Sequence, residues 1–458
     1  MHGMSLLLCL FVGMTGGQVM AQNPATAQPQ SVPDAPSTQT GATSVPQIPG
    51  ASKSPAGTPS AAVTRISLDD AIRLALANSP SIRATRTQIA QSQAQEITAD
   101  FRPNPVLSWD SQFIPIFTPG QFSTDTLNNI QQFDVGVSYL FERGGKRGAR
   151  YRAAVDQTTV TRAQVRDAER TLTFNVAQQF INALLAQSTL QFAQQDLSGF
   201  ENTVRISEER YRVGDISEGD LLKIKLQTLQ FQTDVSAARV ALVQAFAALR
   251  QLVGYQTLPP DFQLLGDLAY QPFTSSLDKL DTVALQERPD LAAAREGTTA
   301  AQSQIKLAKA GGKQDLGVGI DFSHVSGVSG TSLFFNIPLP VFNRNQGEIA
   351  RTNSAFEQSQ FLETVAEQSA LTDVRNAYES ANANQEVVKL YVSGYLKQAQ
   401  DSRDITNYAY NRGAVSLLDL LDAERSYRST ELAYRQTLAN YMISVEQVKQ
   451  AIGSRTLP

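Results

Sequence analysis

One cysteine, two histidines and five methionines in 458 residues leave very few soft or borderline ligands. A dedicated zinc, copper or haem site has little to be built from. With Cys9 the sole cysteine there is no disulfide framework. Thirty-nine Lys and Arg against 43 Asp and Glu give a net charge of -4, so no basic excess is present to hold a nucleic acid. Beyond the first twenty-one residues no apolar run approaches the roughly 18 to 20 residues that a spanning helix needs, which excludes a helical membrane protein. No Ser-His-Asp set, Gly-rich phosphate loop or HExxH pattern occurs, so no catalytic or cofactor-binding constellation is found, and an enzyme is not expected.

What is present begins with a short apolar core, Leu6 to Val12, followed by Val19-Met20-Ala21. These read as a signal peptide, 1–21, cut after Ala21, although its first residues lack Lys or Arg. Cys9 lies inside that core, preceded by Leu8 where a lipid-bearing cysteine wants a small residue, so no lipid anchor is expected. Residues 22–63 carry eight of the twenty prolines among Ser, Thr, Ala and Gln, and read as a disordered tether.

The remainder is internally duplicated. Tyr211-Arg-Val-Gly-Asp-Ile-Ser-Glu-Gly-Asp-Leu-Leu is matched by Tyr410-Asn-Arg-Gly-Ala-Val-Ser-Leu-Leu-Asp-Leu-Leu. Ala75 to Ile82 likewise matches Ala284 to Leu291, which divides the chain into copies at 64–265 and 266–458. Each copy reads as a helix, two strands, a very long helix, a Gly-containing turn and a helix back. In the first copy Ser67 and Asp70 form a capping-box start for a helix to about Asp100.

Four segments alternate with period 2. They are Leu107-Trp109-Phe113, Phe133 to Phe141, Leu316 to Phe322, and Leu333 to Leu339 after a loop from Ser323 to Ser332. No proline interrupts Arg152 to Arg212 or Glu348 to Arg412, so each helix could reach roughly 90 to 100 Å at 1.5 Å per residue. Heptad spacings at Leu190, Leu197, Val204 and Tyr211, at Val235 to Leu252, and at Tyr434 to Ile452 read as coiled-coil seams.

Alternation over about nine residues suits either a half-buried strand of a soluble sheet or a strand crossing an outer membrane. Four strands cannot close a barrel, and an open edge in lipid leaves backbone groups unsatisfied, so membrane strands would require several chains to share one barrel.

The duplicated Tyr-x-x-Gly turn with Asp-Leu-Leu resembles the TolC-type outer-membrane factors. The run Ile337-Pro-Leu-Pro-Val-Phe-Asn-Arg-Asn-Gln-Gly-Glu-Ile349 is similar to their heavy-metal efflux branch, typified by CzcC. The resemblance covers Ile66 to Gly453. It implies a mostly α fold with a small membrane β part: a homotrimer with a shared twelve-stranded barrel in outer-membrane lipid and a long helical tunnel in the periplasm. It also implies a periplasmic adaptor and an inner-membrane resistance-nodulation-division pump as partners, and divalent metal cations as cargo. Hydrophobic drugs or secreted proteins are the alternative cargo. A coiled-coil adaptor is disfavoured because the element order repeats twice.

Asp419 and Asp422 stand three apart and share a helix face. By resemblance they belong to acidic rings at the periplasmic entrance, where carboxylates select cations; spacing alone equally permits helix-start acids favoured by the macrodipole. Tyr410 and Asp220 match positions that tie neighbouring helices at the closed tip, and a coiled-coil knob is the other reading of Tyr410. The family's gate arginine falls on Val415, with Arg412 near but unaligned. Gly214 and Gly413 are expected to be turn glycines with positive φ, and His324 to be polar surface in an external loop.

Overall fold

The computed structural model describes residues 64–458 except 113, 115, 122 and 126–130. The signal peptide, the tether and Phe113 therefore lie outside the described residues. The chain runs β1 (Arg65–Ile66), α1 (Leu68–Asn78), α2 (Pro80–Asp100), β2 (Val106–Gln112), β3 (Gln132–Phe141), α3 (Lys146–Arg212), α4 (Glu218–Val253) and β4 (Gln263–Leu264). The second copy runs α5 (Leu277–Glu287), α6 (Pro289–Gly311), β5 (Leu316–Val325), β6 (Val328–Asn336), α7 (Gln346–Leu390), α8 (Leu396–Asn411) and α9 (Leu417–Ile452).

The capping box at Ser67 is formed, with Asp70 N–H donating to the Ser67 hydroxyl and Asp70 accepting from Ser67. The helix it starts does not continue to Asp100. It breaks at Ser79, because the residue before Pro80 is pushed out of the helical region, and Pro80 then opens α2. The same break recurs at Arg288-Pro289 between α5 and α6.

α3 is one helix of 67 residues, about 100 Å long. Its counterpart in the second copy is interrupted. A π turn at Tyr391–Tyr395, with Gly394 at φ 147°, separates α7 from α8, although no proline is present. Glycine supplies this conformation without a Cβ penalty. The packing is layered: α3 lies against α2, α4, α6 and α9, while α7 packs on α6 and α9. Toward the two turns the order is α4, α3, α9, α8, so α4 and α8 are the outer members. Two apolar cores, one around Phe180 and Leu249 and one around Tyr441 and Val448, hold the middle of the helices. A third, around Phe200, Ile224, Phe231 and Leu420, lies near the turns.

Four strands form one antiparallel sheet in the order β2-β3-β5-β6. The register aligns Leu107, Val137, Ile320 and Leu333 in one row, and places Ser108 beside Gly136 and Gly136 beside Asp321 on the opposite face. The apolar face is bare: Leu107 is 72% exposed and Trp109 75%. The β5–β6 connection is not the long loop expected from Ser323 to Ser332. β5 and β6 pair to Val325↔Val328 around the two residues Ser326 and Gly327, both at positive φ. His324 is accordingly a strand residue opposite Phe133, and its Nδ1 lies 3.0 Å from the Ser329 hydroxyl. β6 ends at Asn336, so Leu339 belongs to the following loop. A short parallel pair, β1 with β4, ties the start of the first copy to its end.

Candidate functional site at the helical turns

The duplicated motif forms two equivalent turns, α3 to α4 and α8 to α9. Gly214 and Gly413 sit at φ 82° and 73°, where a Cβ would be strained. Ser217 then caps α4: the Asp220 N–H donates to its hydroxyl at 3.1 Å and the hydroxyl donates to the Asp220 carboxylate at 2.9 Å. Ser416 does the same for α9. Asp419 N–H donates to Ser416 at 3.3 Å, and the Ser416 hydroxyl and N–H donate to the Asp419 carboxylate at 2.7 and 3.0 Å. These bonds hold the Asp419 carboxyl below the usual carboxylate range, the Ser416 hydroxyl being the first cause. Asp220 and Asp419 are thus the same residue of the repeat, each closing a cap, with Asp220 half-buried and Asp419 exposed.

Asp422 points outward and pairs with Arg425 at 2.5 Å. It lines an opening with Gln227, Gln230 and Glu424, apart from the groove between the turns. That groove, about 510 Å³, is lined by Arg210, Asp215, Asp220, Tyr410, Leu418 and Leu421. Tyr410 and Asp220 are therefore brought together; Asp419 and Asp422 do not line the groove.

Tyr410 is 3% exposed and belongs to the core near the turns. What holds it is Arg210, whose Nη1 donates to the Tyr410 carbonyl at 2.6 Å and whose Cζ stands 5.0 Å from the ring centroid. Arg210 also pairs with Asp215 at 2.7 Å. Val415, at the family's gate-arginine position, packs against the same apolar core, and Arg412 lies over the Tyr408 ring at 4.5 Å. At the turns themselves the two hairpins are thus cross-linked by Arg210. Sequence comparison of the two copies passes over it because its counterpart, one repeat later, is Ala409, and that of Asp215 is Ala414. Self-similarity finds what the copies share and misses what one copy alone acquired.

A second polar cluster farther from the turns was equally illegible. Arg428 bridges Asp196 at 2.6 Å and Asp234, and lies 4.2 Å from the Phe231 ring centroid. Arg403 stacks on Tyr427 at 4.0 Å and pairs with Asp404 at 2.7 Å. Between them Glu424 lines a cavity of about 260 Å³ with Asp196, Arg403 and Asp404. Burial pushes Glu424 up to about 7; Arg403 and Arg428 oppose the shift, and Asp196 and Asp404 add to it. Among the described residues no group of His, Cys, Asp and Glu could hold a metal ion. Among the described residues no helix is long and apolar enough to cross a membrane.

The sequence matches the family described as OEP, outer membrane efflux protein, over residues 71–255 and 282–454. The chain belongs to the outer membrane efflux protein family. Relatives of this efflux protein include the pyoverdine export outer membrane protein OpmQ of Pseudomonas putida, 25% identical over 84% of this chain and 85% of that one. The cation efflux system protein CusC of Escherichia coli is 25% identical over 82% of this chain and 83% of its own. The cobalt-zinc-cadmium resistance protein CzcC of Cupriavidus metallidurans is 22% identical over 86% and 92%. A crystal structure of CusC shares the fold with a TM-score of 0.68 at 22% identity, covering 84% of this chain and 92% of that one. The protein is a TolC-type efflux channel of the outer membrane, with relatives in the heavy-metal branch.

Proposed function

We propose that three copies close into a passive exit duct for divalent heavy-metal cations, with a twelve-stranded barrel in the outer membrane and a helical tunnel below it. The observation that carries the closure is that both layers end in open edges. β2 and β6 each pair on one side only, which membrane strands cannot leave unsatisfied. In the helical layer the outer helix α4 bears Leu222, Leu226, Leu229, Val240 and Val243, all exposed at alternating steps of four and three where they are consecutive. The other outer helix, α8, bears exposed Ile405 and Tyr408. A ring in which β6 meets β2 and α8 meets α4 of the next copy satisfies both layers at once. With four strands per chain, three chains give twelve.

In this reading Asp419 and Asp422 are repeated around the entrance and favour cations. Tyr410 and Asp220 hold the tip, and the turns dock a periplasmic adaptor fed by an energised inner-membrane pump. Metal cargo is supported by the relatives CusC and CzcC and by the Ile337–Ile349 run. A conduit needs no tight site for its ion, because a duct that held its cargo would not conduct. A second reading has its own support: OpmQ is by its name a pyoverdine export protein, not a metal-cation one, at the same identity as CusC. The same duct would then pass organic cargo such as hydrophobic drugs, or secreted proteins.

The test is cellular accumulation of zinc, cobalt, cadmium and copper beside a hydrophobic dye, in a deletion strain and its complemented partner. Metal accumulation reversed by complementation is the expected result. Accumulation of dye alone would move the duct to organic cargo.

A further inference from the structure

The charge of the chain is distributed unevenly along the sheet. Segments 106–141 and 316–336, which hold the four strands and their far connections, contain no Lys or Arg and four Asp. The segments that join strands to helices, 100–105, 142–152, 309–315 and 337–351, contain ten Lys or Arg and four Asp or Glu. All four acids are already matched: Asp100 with Arg147 at 2.9 Å, Glu142 with Arg150 at 2.8 Å, Asp315 with Lys146 at 2.7 Å and Glu348 with Arg351 at 2.6 Å. The side-chain cations of Arg102, Arg143, Lys309, Lys313 and Arg344 have no carboxylate partner among the described residues, although the Arg143 backbone N–H donates to Asp315 at 3.0 Å, and all five residues are exposed.

Beside these cations the loop after β6 displays apolar side chains to solvent, with Leu339 80% and Phe342 90% exposed. The loop is held in place: Arg344 Nε donates to the Pro340 carbonyl at 3.2 Å, Gln346 Nε2 to the Phe342 carbonyl at 3.0 Å, and Asn345 Nδ2 to the Ala308 carbonyl at 2.7 Å. Between loop and helix end lies a cavity of about 470 Å³, lined by Lys313 on one side and by Leu339, Pro340 and Phe342 on the other. Cations with no carboxylate partner next to a fixed apolar wedge suit an amphiphile whose head is anionic and whose body is hydrocarbon.

We propose that this rim, built from Lys309, Lys313, Arg344 and the Ile337–Phe342 loop, is a docking surface for anionic phospholipids of the periplasm-facing leaflet. The phosphodiester sits by the lysines and Arg344, and the acyl chains continue along Leu339 and Phe342 toward the apolar face of the sheet. The inference rests on the barrel reading above, which sets the strand-helix junctions at the inner boundary of the membrane. A single Lys or Arg near an anionic surface is worth about fivefold in affinity.

Trp109, the only tryptophan of the chain, lies on the apolar face three residues above the start of β2 and reports on neighbouring lipid. The full chain is reconstituted in vesicles of phosphatidylglycerol and phosphatidylcholine, with bromine on the acyl chains of one lipid at a time. Quenching of Trp109 is expected to give a preference for phosphatidylglycerol of at least about fivefold, the contribution of one such cation. In the triple variant Lys309→Gln, Lys313→Gln, Arg344→Gln the preference falls toward one. In wild type it weakens at high salt. Equal quenching by both lipids in wild type, or an unchanged preference in the variant, overturns the rim proposal alone. No quenching by either lipid overturns the barrel reading and the rim with it. A variant that dissociates to monomers would make the rim a subunit contact and overturn the lipid assignment.

Discussion

Arg210→Ala removes the one guanidinium that joins the two turns. The charged hydrogen bond to the Tyr410 carbonyl is worth about 1.5 to 3 kcal/mol, and the stack on the Tyr410 ring about 0.5 to 2 kcal/mol. Asp215 is more than half exposed, so its ion pair adds at most about 1 kcal/mol. Because these contributions are not additive, we expect the link to weaken by about 2 to 4 kcal/mol. Local opening at the α8–α9 turn then rises by about 30- to 1,000-fold. Hydrogen exchange reads this directly, since the amides of Gly413 and Ala414 donate to Tyr410 and Ala409 within that turn at 2.9 Å. Exchange across residues 409–421 should accelerate by that factor, single-channel openings should become more frequent, and Arg210→Lys, which keeps charge without the planar fork, should fall between. Unchanged exchange in a folded Arg210→Ala protein would refute the view that Arg210 cross-links the hairpins.

Glu424 titrates from a folded value of about 7 against an ordinary 4.5, so the stability it contributes is complete below 4.5 and is lost as pH rises through 7. Glu424→Gln should therefore raise the melting temperature at pH 8 and leave it unchanged near pH 4; an equal gain at both would refute the burial argument. Asp419→Ala removes the carboxylate that accepts from Ser416 in the α9 cap and should fray the first turn of α9, read by hydrogen exchange, and Asp419→Ala with Asp422→Ala should reduce cation selectivity in planar bilayers. Selectivity that stays put would return both residues to cap and solvated surface. Gly319→Ala would place a Cβ 2.1 Å from the Phe334 ring, so it should impair sheet assembly and insertion, measured as loss of trimer in membrane fractions.

Much of the fold was legible because it is written in short-range pattern. Period-2 alternation marked the four strands, Ser-x-x-Asp marked helix starts, and the repeated Tyr-x-x-Gly turn exposed the duplication. Where the reading slipped, a local cause outweighed the wider pattern. Pro80 breaks the first helix, Gly394 interrupts the second long helix without a proline, and Ser326-Gly327 closes a tight hairpin inside a polar stretch. The candidate site divided in the same way. The turn residues Gly214, Gly413, Tyr410, Asp220 and Asp419 stand out in the sequence because both copies, or the family pattern, mark them, and the structure places all five at or beside the two turns. Arg210, Asp196, Arg428 and Glu424 do not stand out, because their partners are far away in sequence and their counterparts in the other copy differ.

Sequence alone determined that this chain is a duplicated, mostly helical protein with strands of membrane length, since amphipathic period and turn chemistry are properties of neighbouring residues. Only the tertiary structure decided which charges meet. Arg210 reaches Tyr410 across two hundred positions, and Arg428 reaches Asp196 and Asp234. It also decided that five cations at the strand-helix rim have no carboxylate partner among the described residues. Ion pairing and burial depend on distances of a few ångströms, and these exist only once the helices and the sheet are packed.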